Sequence, residues 1–221
     1  MSFVVSTCAH DVEWMRGSMG SHDIHLCHKM GCPDLPSGFE ADATCSLVKN
    51  AGDEASSYLA FIVANYESLP ENVAFVHSHQ KSWHMGHMGG RNIFDFASTA
   101  CAANYTSLNW LTGNRWAEER GREGQVFNRS AVHPSIAKEI QICDSVRMEC
   151  CAQFIVSRAA ILSRPKTVYK KLLNAVSTPR LWTKNHDHGM EYAWYTLFTG
   201  MCDMELPTAE EYHSERFSCG R

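Results

Sequence analysis

Residues 53–79 predict a helix followed by a buried strand, in the sequence Asp53-Glu-Ala-Ser-Ser-Tyr-Leu-Ala-Phe-Ile-Val-Ala-Asn-Tyr66-Glu-Ser-Leu-Pro70-Glu-Asn-Val-Ala-Phe-Val76-His-Ser-His79. Apolar residues recur at helical spacing from Ala55 to Tyr66, and Pro70 ends the pattern. The run from Val73 to Val76 is short and apolar, which is typical of a strand inside a sheet. A helix that leads into a buried strand is part of a βαβ unit, so the sequence predicts an α/β fold.

The rest of the chain continues this alternation. We expect further strands at 3–7, 107–111 and 152–157, and further helices at 93–101, 134–147, 165–176 and 190–198. Residues 118–129 predict a loop, residues 8–45 give no clear pattern, and Gly200 is a natural helix stop. We therefore predict a single α/β domain over residues 1–221, with a mostly parallel central sheet flanked by helices and a peripheral tail from about 205 to 221.

Composition sets the outer limits on function. The 221 residues are 44% hydrophobic and 20% charged, which is enough for one well-filled core. The formal charge is -4 and the basic residues are scattered, so no nucleic-acid surface is expected. No segment reaches the ~20 apolar residues that a membrane span needs, and Met1–Thr7 does not resemble a secretion signal. These features predict a cytoplasmic protein without a membrane span.

The ten cysteines leave the redox compartment open between reduced thiols and disulfides. Several of them lie within apolar or helical patterns, where a reduced thiol behaves as a small buried hydrophobe. These are Cys8, Cys101, Cys143 and Cys202. We therefore expect reduced cysteines.

Four histidines follow the predicted strand at 73–76, namely His77, His79, His84 and His87. Imidazole is the commonest metal ligand in proteins, and it titrates near neutral pH. Ligands of layered α/β domains bind beyond the carboxyl ends of the strands. The sequence therefore predicts a cofactor or substrate site directly after this strand.

Several ordered motifs resemble a domain family of unassigned function that is found in fungi and elsewhere. The first group is Asn50-x-Gly52-x-Glu54-Ala55-x-x-Tyr58-Leu59, Asn65-Tyr66-x-x-Leu69-Pro70, Phe75-x-His77-x-His79 and Trp83-His84. The second group is Cys151-Ala-Gln153-Phe-x-Val-Ser157-Arg158, Arg164-Pro165, Tyr169 and Glu191-x-x-Trp194-x-x-x-Phe198. The resemblance covers residues 3 to about 200.

That family in turn resembles the GT-A glycosyltransferases, including sugar transferases encoded by large algal viruses. The resemblance implies a GT-A-like, Rossmann-like domain that transfers a sugar from a nucleoside-diphosphate sugar, most simply a UDP-sugar, to a glycan or glycoprotein. It also implies a divalent metal, Mn²⁺ or Mg²⁺, on the donor diphosphate. GT-A enzymes commonly carry Asp-x-Asp after a strand, whereas this chain has His77-Ser-His79 there. Imidazole is a weaker ligand than carboxylate for these ions, so direct binding of the diphosphate by the histidines is the alternative.

Each expected site role has a structural alternative. Glu191 is the expected general base or acceptor ligand, with Asp187 as substitute, although either could simply stabilise a helix end. Gln153 would point its amide at the sugar or the acceptor, or be a buried amide with satisfied hydrogen bonds. The remaining expected residues are His77, His79 and His188 for the metal, with His186 as an alternative to His188, then Ser6, Thr7, Cys8, Asn50 and Asp53 for the nucleotide, and Trp83 and His84 for the sugar.

Three other functions compete with sugar transfer. A zinc site could form from the cluster His22, His25, Cys27, His28 and Cys32, whose spacing matches no standard finger. A metallohydrolase would use His77-x-His79 with His84 and His87, but Lys81 and Ser82 stand where that class places other ligands. A noncatalytic nucleotide-sugar or glycan-binding domain would keep the fold without the chemistry.

Overall fold

The computed structural model describes residues 1–8, 12–46, 51–80, 92–100, 104–111, 125–129, 132–148, 151–178 and 189–204. Its strands are β1 (Ser2–Thr7), β2 (Asp23–His28), β3 (Asn72–His77), β4 (Tyr105–Ser107), β5 (Gln125–Asn128), β6 (Ser145–Met148) and β7 (Phe154–Ser157). Five of them form one sheet in the order β2-β1-β3-β7-β4, and β5 pairs with β6. Strand β1 is parallel to both neighbours, whereas β7 is antiparallel to β3 and β4. The main sheet is therefore mostly parallel, with one reversed strand.

Helices cover the two faces of this sheet. They are α1 (Asp53–Asn65), α2 (Ile93–Thr99), α3 (Leu108–Leu111), α4 (Pro134–Ile140), α5 (Arg158–Leu162), α6 (Lys166–Val176) and α7 (Trp194–Thr199), with a single 3-10 turn at Glu13–Met15. Two local signals define helix ends as the sequence predicts. Pro165 precedes α6, and Gly200 ends α7 in the left-handed conformation with a φ of 71°. In the described residues, no helix is long and apolar enough to cross a membrane.

The sheet separates two hydrophobic cores, because successive side chains of a strand point to opposite faces. One core joins α1, α4, α6 and α7 to the face that carries Val4, Phe75 and Phe154, and we call this the α1 face. The other core joins α2 to the face that carries Phe3, Val5, Leu26 and Val76, and we call this the α2 face. The molecule thus has a layered α/β architecture.

An aromatic cluster fixes α7 against the sheet on the α1 face. The ring of Trp194 lies 5.3 Å from that of Phe154 and 6.0 Å from that of Tyr58. Tyr58 in turn lies 4.8 Å from Phe75 of β3, and its hydroxyl donates to the carbonyl of Ala152 at 3.1 Å. Burying each such side chain stabilises the fold by about 1.5–3 kcal/mol. This packing holds the turn before α7 close to the sheet.

The structure confirms the strongest patterns and corrects weaker ones. Strands β1, β3 and β7 and helices α1, α2, α6 and α7 form where the sequence predicts them, although α7 begins only at Trp194. The predicted strand at 107–111 is wrong beyond Ser107, because the chain turns there into α3. The predicted helix at 134–147 ends at Ile140, where Gln141 takes a left-handed conformation with a φ of 59°, and β6 follows.

Two further strands lie where no strand was expected. Gln125–Asn128 forms β5 within the predicted loop, because its hydrogen-bonding partner β6 is distant in sequence. Asp23–His28 forms β2 at the edge of the main sheet, with mixed polar and apolar residues. An edge strand has one neighbour and tolerates polar side chains, so its sequence pattern is weak.

The prediction of reduced cysteines is wrong. Disulfides join Cys8 to Cys32, Cys27 to Cys45, and Cys143 to Cys202. No cysteine of the described residues is a free thiol. Disulfides persist in oxidising compartments and are rare in the cytosol. The expectation of a cytoplasmic protein therefore loses the support that reduced thiols would have given it.

Candidate functional site

Polar side chains gather at one edge of the main sheet, where the parallel strands end. Strands β1, β2 and β3 end side by side, with Thr7 opposite His28 and Ser6 opposite His77 in the register. Strand β7 runs the other way, so its first residues lie at this same edge, directly after Gln153. We call this region the carboxyl edge. It is where α/β folds bind their ligands.

Gln153, directly before β7, connects β3 and α3 at the carboxyl edge. Its Oε1 accepts a hydrogen bond from the backbone N–H of His77 at 3.4 Å, and its Nε2 donates to Oδ1 of Asn109 at 3.1 Å. Both amide side chains are buried, at 1% and 0% exposure. The backbone N–H of Leu108 also donates to the carbonyl of Gln153 at 2.9 Å. The amide of Gln153 is thus fixed in orientation beside His77.

Lys29 and Asp53 lie together on the β2 side of the carboxyl edge. Lys29 follows β2, is 4% exposed, and its Nζ donates to the carbonyl oxygen of Asp53 at the start of α1. Burial lowers the pKa of Lys29, and the charges of Glu54 and Asp53 oppose that shift. Next to them, Ser6 of β1 donates a hydrogen bond to Ser57 of α1 at 3.0 Å. The first turns of α1 therefore meet the ends of β1 and β2.

Glu191 brings a third carboxyl group to this region. Burial raises the pKa of Glu191 to about 8, and repulsion from the Glu54 and Asp53 carboxylates adds to the shift. Glu191 precedes α7, and the ring of Trp194 in that helix packs against Phe154 beside Gln153. The residue therefore lies between the start of α1 and the start of β7. At neutral pH most of this carboxyl group is protonated.

We expect Glu191→Gln to flatten the pH dependence of stability. The native pKa of Glu191 lies above its ordinary value of 4.5, so between 4.5 and about 8 only the native state holds the proton. The free energy of unfolding therefore falls as pH rises through this window, by roughly 1.4 kcal/mol per pH unit at most. Thermal melts from pH 5 to 8.5 should show a steeper decline for the wild type than for Glu191→Gln. Parallel declines would contradict the buried-carboxyl assignment.

The structure brings together most of the described residues of the predicted site. Ser6, Thr7, Cys8, Asp53, His77, His79, Gln153 and Glu191 all lie at or beside the carboxyl edge. Two details differ from expectation. Glu191 lies in a turn three residues before α7 and not in the first helical turn, and Cys8 is joined to Cys32 and offers no thiol. Asn50, Trp83, His84, His186, Asp187, His188 and the tail from 205 lie outside the described residues.

The predicted metal site is only partly described. The rings of His77 and His79 lie 6.0 Å apart between centroids, while the proposed third ligand, His188, is outside the described residues. Among the residues that the structure describes, no three His, Cys, Asp or Glu side chains form a metal-binding group. The binding of Mn²⁺ or Mg²⁺ therefore stays a prediction.

The alternative zinc cluster at 22–32 is wrong as a metal site. Cys27 and Cys32 are in disulfides with Cys45 and Cys8. His25 Nδ1 lies 2.6 Å from a carboxylate oxygen of Asp42, and His22 Nε2 lies 3.1 Å from Asp95. The five side chains therefore do not converge on one metal-binding position.

Sequence reasoning missed two residues of the site. Lys29 lies in the section without a clear pattern, and nothing local indicates that its amine turns back to α1. Asn109 was hidden inside a predicted strand that is in fact α3.

The fold and the carboxyl edge define a class: a mixed α/β protein with a mostly parallel five-stranded sheet and polar side chains at the ends of its parallel strands. Residues 3–215 match the family model described as Protein of unknown function (DUF3431), and the chain belongs to this family. Comparisons with curated proteins and with solved structures give no match.

Proposed function

We propose that this protein is a GT-A-like glycosyltransferase that moves a sugar from a nucleoside-diphosphate sugar, most simply a UDP-sugar, to a hydroxyl of a glycan or glycoprotein. One observation carries the proposal. A partly buried carboxyl group with a pKa of about 8, on Glu191, lies at the same strand edge as the fixed amide of Gln153 and the imidazole of His77. Such an edge supplies a base at the strand ends, which is where α/β folds bind their ligands.

Glu191 suits the role of general base. Transfer breaks the bond between the sugar carbon and the diphosphate oxygen, which leaves with the electron pair, and forms a bond to the acceptor oxygen. The acceptor proton goes to the ionised carboxylate of Glu191. A base is most effective when its pKa lies near the working pH, and a carboxylate with a pKa of about 8 is a much stronger base than an exposed one. Gln153, whose amide is buried and hydrogen-bonded at both ends, would act by holding the backbone of His77 in place.

The nucleotide end of the donor is expected at the end of β1. Ser6 and Thr7 point to opposite faces of the sheet there, and the Cys8–Cys32 disulfide joins the end of β1 to the segment that follows β2. Asp53 begins α1 beside them. In this proposal Cys8 acts through its backbone and its disulfide, because its sulfur is already bonded.

A thermal-shift panel of nucleotide sugars, with and without Mn²⁺, tests the proposal. A ligand that binds only the native state raises its stability, by about 2.7 kcal/mol at 100 times Kd. We expect UDP-sugars to raise the Tm and Mn²⁺ to enlarge the rise. His79→Ala should reduce the Mn²⁺-dependent part if this imidazole contacts the ion, and an unchanged response would remove His79 from the ligands.

The same panel separates the alternatives. Stabilisation by UDP-sugars without transfer or donor hydrolysis, in an assay with glycan acceptors, would indicate a noncatalytic nucleotide-sugar-binding domain. Stabilisation by Zn²⁺ alone, with no response to any nucleotide sugar, would overturn the proposal in favour of a histidine-rich metallohydrolase. His22→Ala is a control for His79→Ala, because the imidazole of His22, which is 15% exposed, pairs with Asp95 of α2 at 3.1 Å.

A further inference from the structure

Three polar side chains form a row across the ends of β2, β1 and β3. They belong to His28, Thr7 and Ser78. Thr7 is opposite His28 in the parallel register, and the backbone N–H of Ser78 donates to the carbonyl of Ser6 at 3.2 Å, so Ser78 extends β3 beside Thr7. Adjacent strands lie about 4.8 Å apart, so the three side chains are neighbours.

All three members of the row lie on the α2 face. Each is two residues beyond a residue of the α2-face core, namely Leu26, Val5 or Val76, and side chains alternate along a strand. The carboxyl groups at the start of α1 and the amine of Lys29 belong to the opposite, α1 face. Among the described residues, the carboxyl edge therefore presents two hydroxyl groups and an imidazole on one side, and carboxyl groups and an amine on the other.

The row consists of buried polar atoms without a hydrogen-bond partner among the described residues. These atoms are Thr7 Oγ1, Ser78 Oγ and His28 Nδ1. Thr7 is 3% exposed and Ser78 is 1% exposed. More than nine-tenths of buried polar groups in proteins have a partner, because an unmade bond costs about 1–3 kcal/mol. Three such atoms in one line indicate a place for a hydrogen-bonding ligand.

Trp14 adds a flat surface beside the row. Its Nε1 donates to the carbonyl oxygen of Ser78 at 2.9 Å, which fixes the indole next to that residue. One side of the indole stacks on Phe94 at 5.5 Å with an interplanar angle of 14°, and the side chain stays partly exposed. An anchored, partly exposed aromatic ring is suited to stacking on a planar ligand.

We propose that Thr7, Ser78 and His28 hydrogen-bond the base of a nucleoside, with Trp14 as the stacking surface. This inference rests on the proposed function, and it assigns the neutral end of the donor to the α2 face. Hydroxyl groups both donate and accept hydrogen bonds, so they match the alternating donors and acceptors at the edge of a base. The charged diphosphate then lies towards Lys29 and the α1 face.

Thr7→Val tests this assignment with uridine, a nucleoside that carries no phosphate, as the probe. Valine keeps the shape of threonine and removes a hydroxyl that has no partner in the described residues, so the variant should fold with an unchanged or higher Tm. Uridine binding, measured by calorimetry and by tryptophan fluorescence, should weaken about fivefold or more. Ser78→Ala should have a similar effect.

Thr196→Val is the matched control. Thr196 is also a buried threonine, at 1% exposure, whose hydroxyl has no partner in the described residues, but it lies in α7 on the α1 face. The Thr196→Val variant should bind uridine as tightly as the wild type does. Equal uridine affinity for all three variants and the wild type would overturn the assignment. Failure of the wild type to bind uridine at millimolar concentration would also overturn it, and would leave ordered water as the occupant of the row.

The outcome is separable from that of the transferase proposal. Uridine binding that depends on Thr7, in a protein that transfers no sugar, supports the base site and rejects the enzyme. Sugar transfer from a UDP-sugar with unchanged KM in both Thr7→Val and Ser78→Ala rejects the base site and keeps the enzyme.

Discussion

Glu191→Gln is expected to lower the rate of sugar transfer by about 10²–10⁴-fold, because general acid–base catalysis contributes that much in enzymes that depend on it. Glutamine keeps the size and hydrogen-bonding shape of the side chain but cannot accept the proton of the acceptor hydroxyl. The change should appear in kcat, with little effect on the KM of the donor. The measurement is the steady-state rate of transfer to a glycan acceptor, monitored by the release of the nucleoside diphosphate.

The pH profile makes this prediction specific. With a pKa of about 8, Glu191 is mostly protonated at neutral pH, so kcat of the wild type should rise with pH and level off above about 8. The kcat of Glu191→Gln should lack this rise with pH. Glu67→Gln is the control, because the side chain of Glu67 is 82% exposed and only approaches Lys166, at 3.9 Å. Full activity of Glu191→Gln with an unchanged profile would remove Glu191 from the mechanism.

Reduction of the disulfides is expected to unfold the protein or to lower its Tm by more than about 15 °C. The bonds Cys8–Cys32, Cys27–Cys45 and Cys143–Cys202 close loops with separations of 24, 18 and 59 residues. Loops of this size each contribute about 3–4 kcal/mol, and their sum is comparable with the ~5–15 kcal/mol total stability of a domain. Thermal melts with and without excess dithiothreitol, with thiols counted by mass spectrometry after alkylation, provide the measurement.

The two disulfides near β2 form a matched pair. Cys27 and Cys45 are fully buried, whereas Cys8 and Cys32 are partly exposed at the carboxyl edge. Mild reduction should therefore open the Cys8–Cys32 bond first, and subsequent alkylation should label Cys8 and Cys32 before Cys27 and Cys45. Replacing Cys27 and Cys45 together by alanine should cost more stability than replacing Cys8 and Cys32, because it also opens a cavity in the core. A fully reduced protein with an unchanged Tm would show that these bonds do not stabilise the fold.

The sequence predicts those elements whose signal is local. The spacing from Ala55 to Tyr66 encodes α1, and the apolar run at 73–76 encodes β3, so the position of His77 at a strand end follows from sequence. Strand β2 escapes such reasoning because it lies at the edge of the sheet and mixes polar with apolar residues. Without β2, the location of Lys29 cannot be deduced.

Features that depend on distant partners could not be predicted from one sequence. The pairing of Cys143 with Cys202 needs the folded chain, since ten cysteines allow many connectivities. The pKa of Glu191 depends on Asp53 and Glu54, which are far away in sequence. The row of Thr7, Ser78 and His28 arises only from the register of three strands. The sequence identifies candidate residues, and the geometry gives each of them its surroundings.

The reversed strand β7 also determines when the main sheet can be completed during synthesis. It completes the centre of the sheet by pairing Ala74 with Ile155, and α1 packs against α6, which ends at Val176. During synthesis β3 and α1 therefore leave the ribosome long before their partners β7 and α6 exist. Contacts between such distant segments make folding slow, and they leave the apolar surfaces of β3 and α1 exposed in the nascent chain until its last third has been translated.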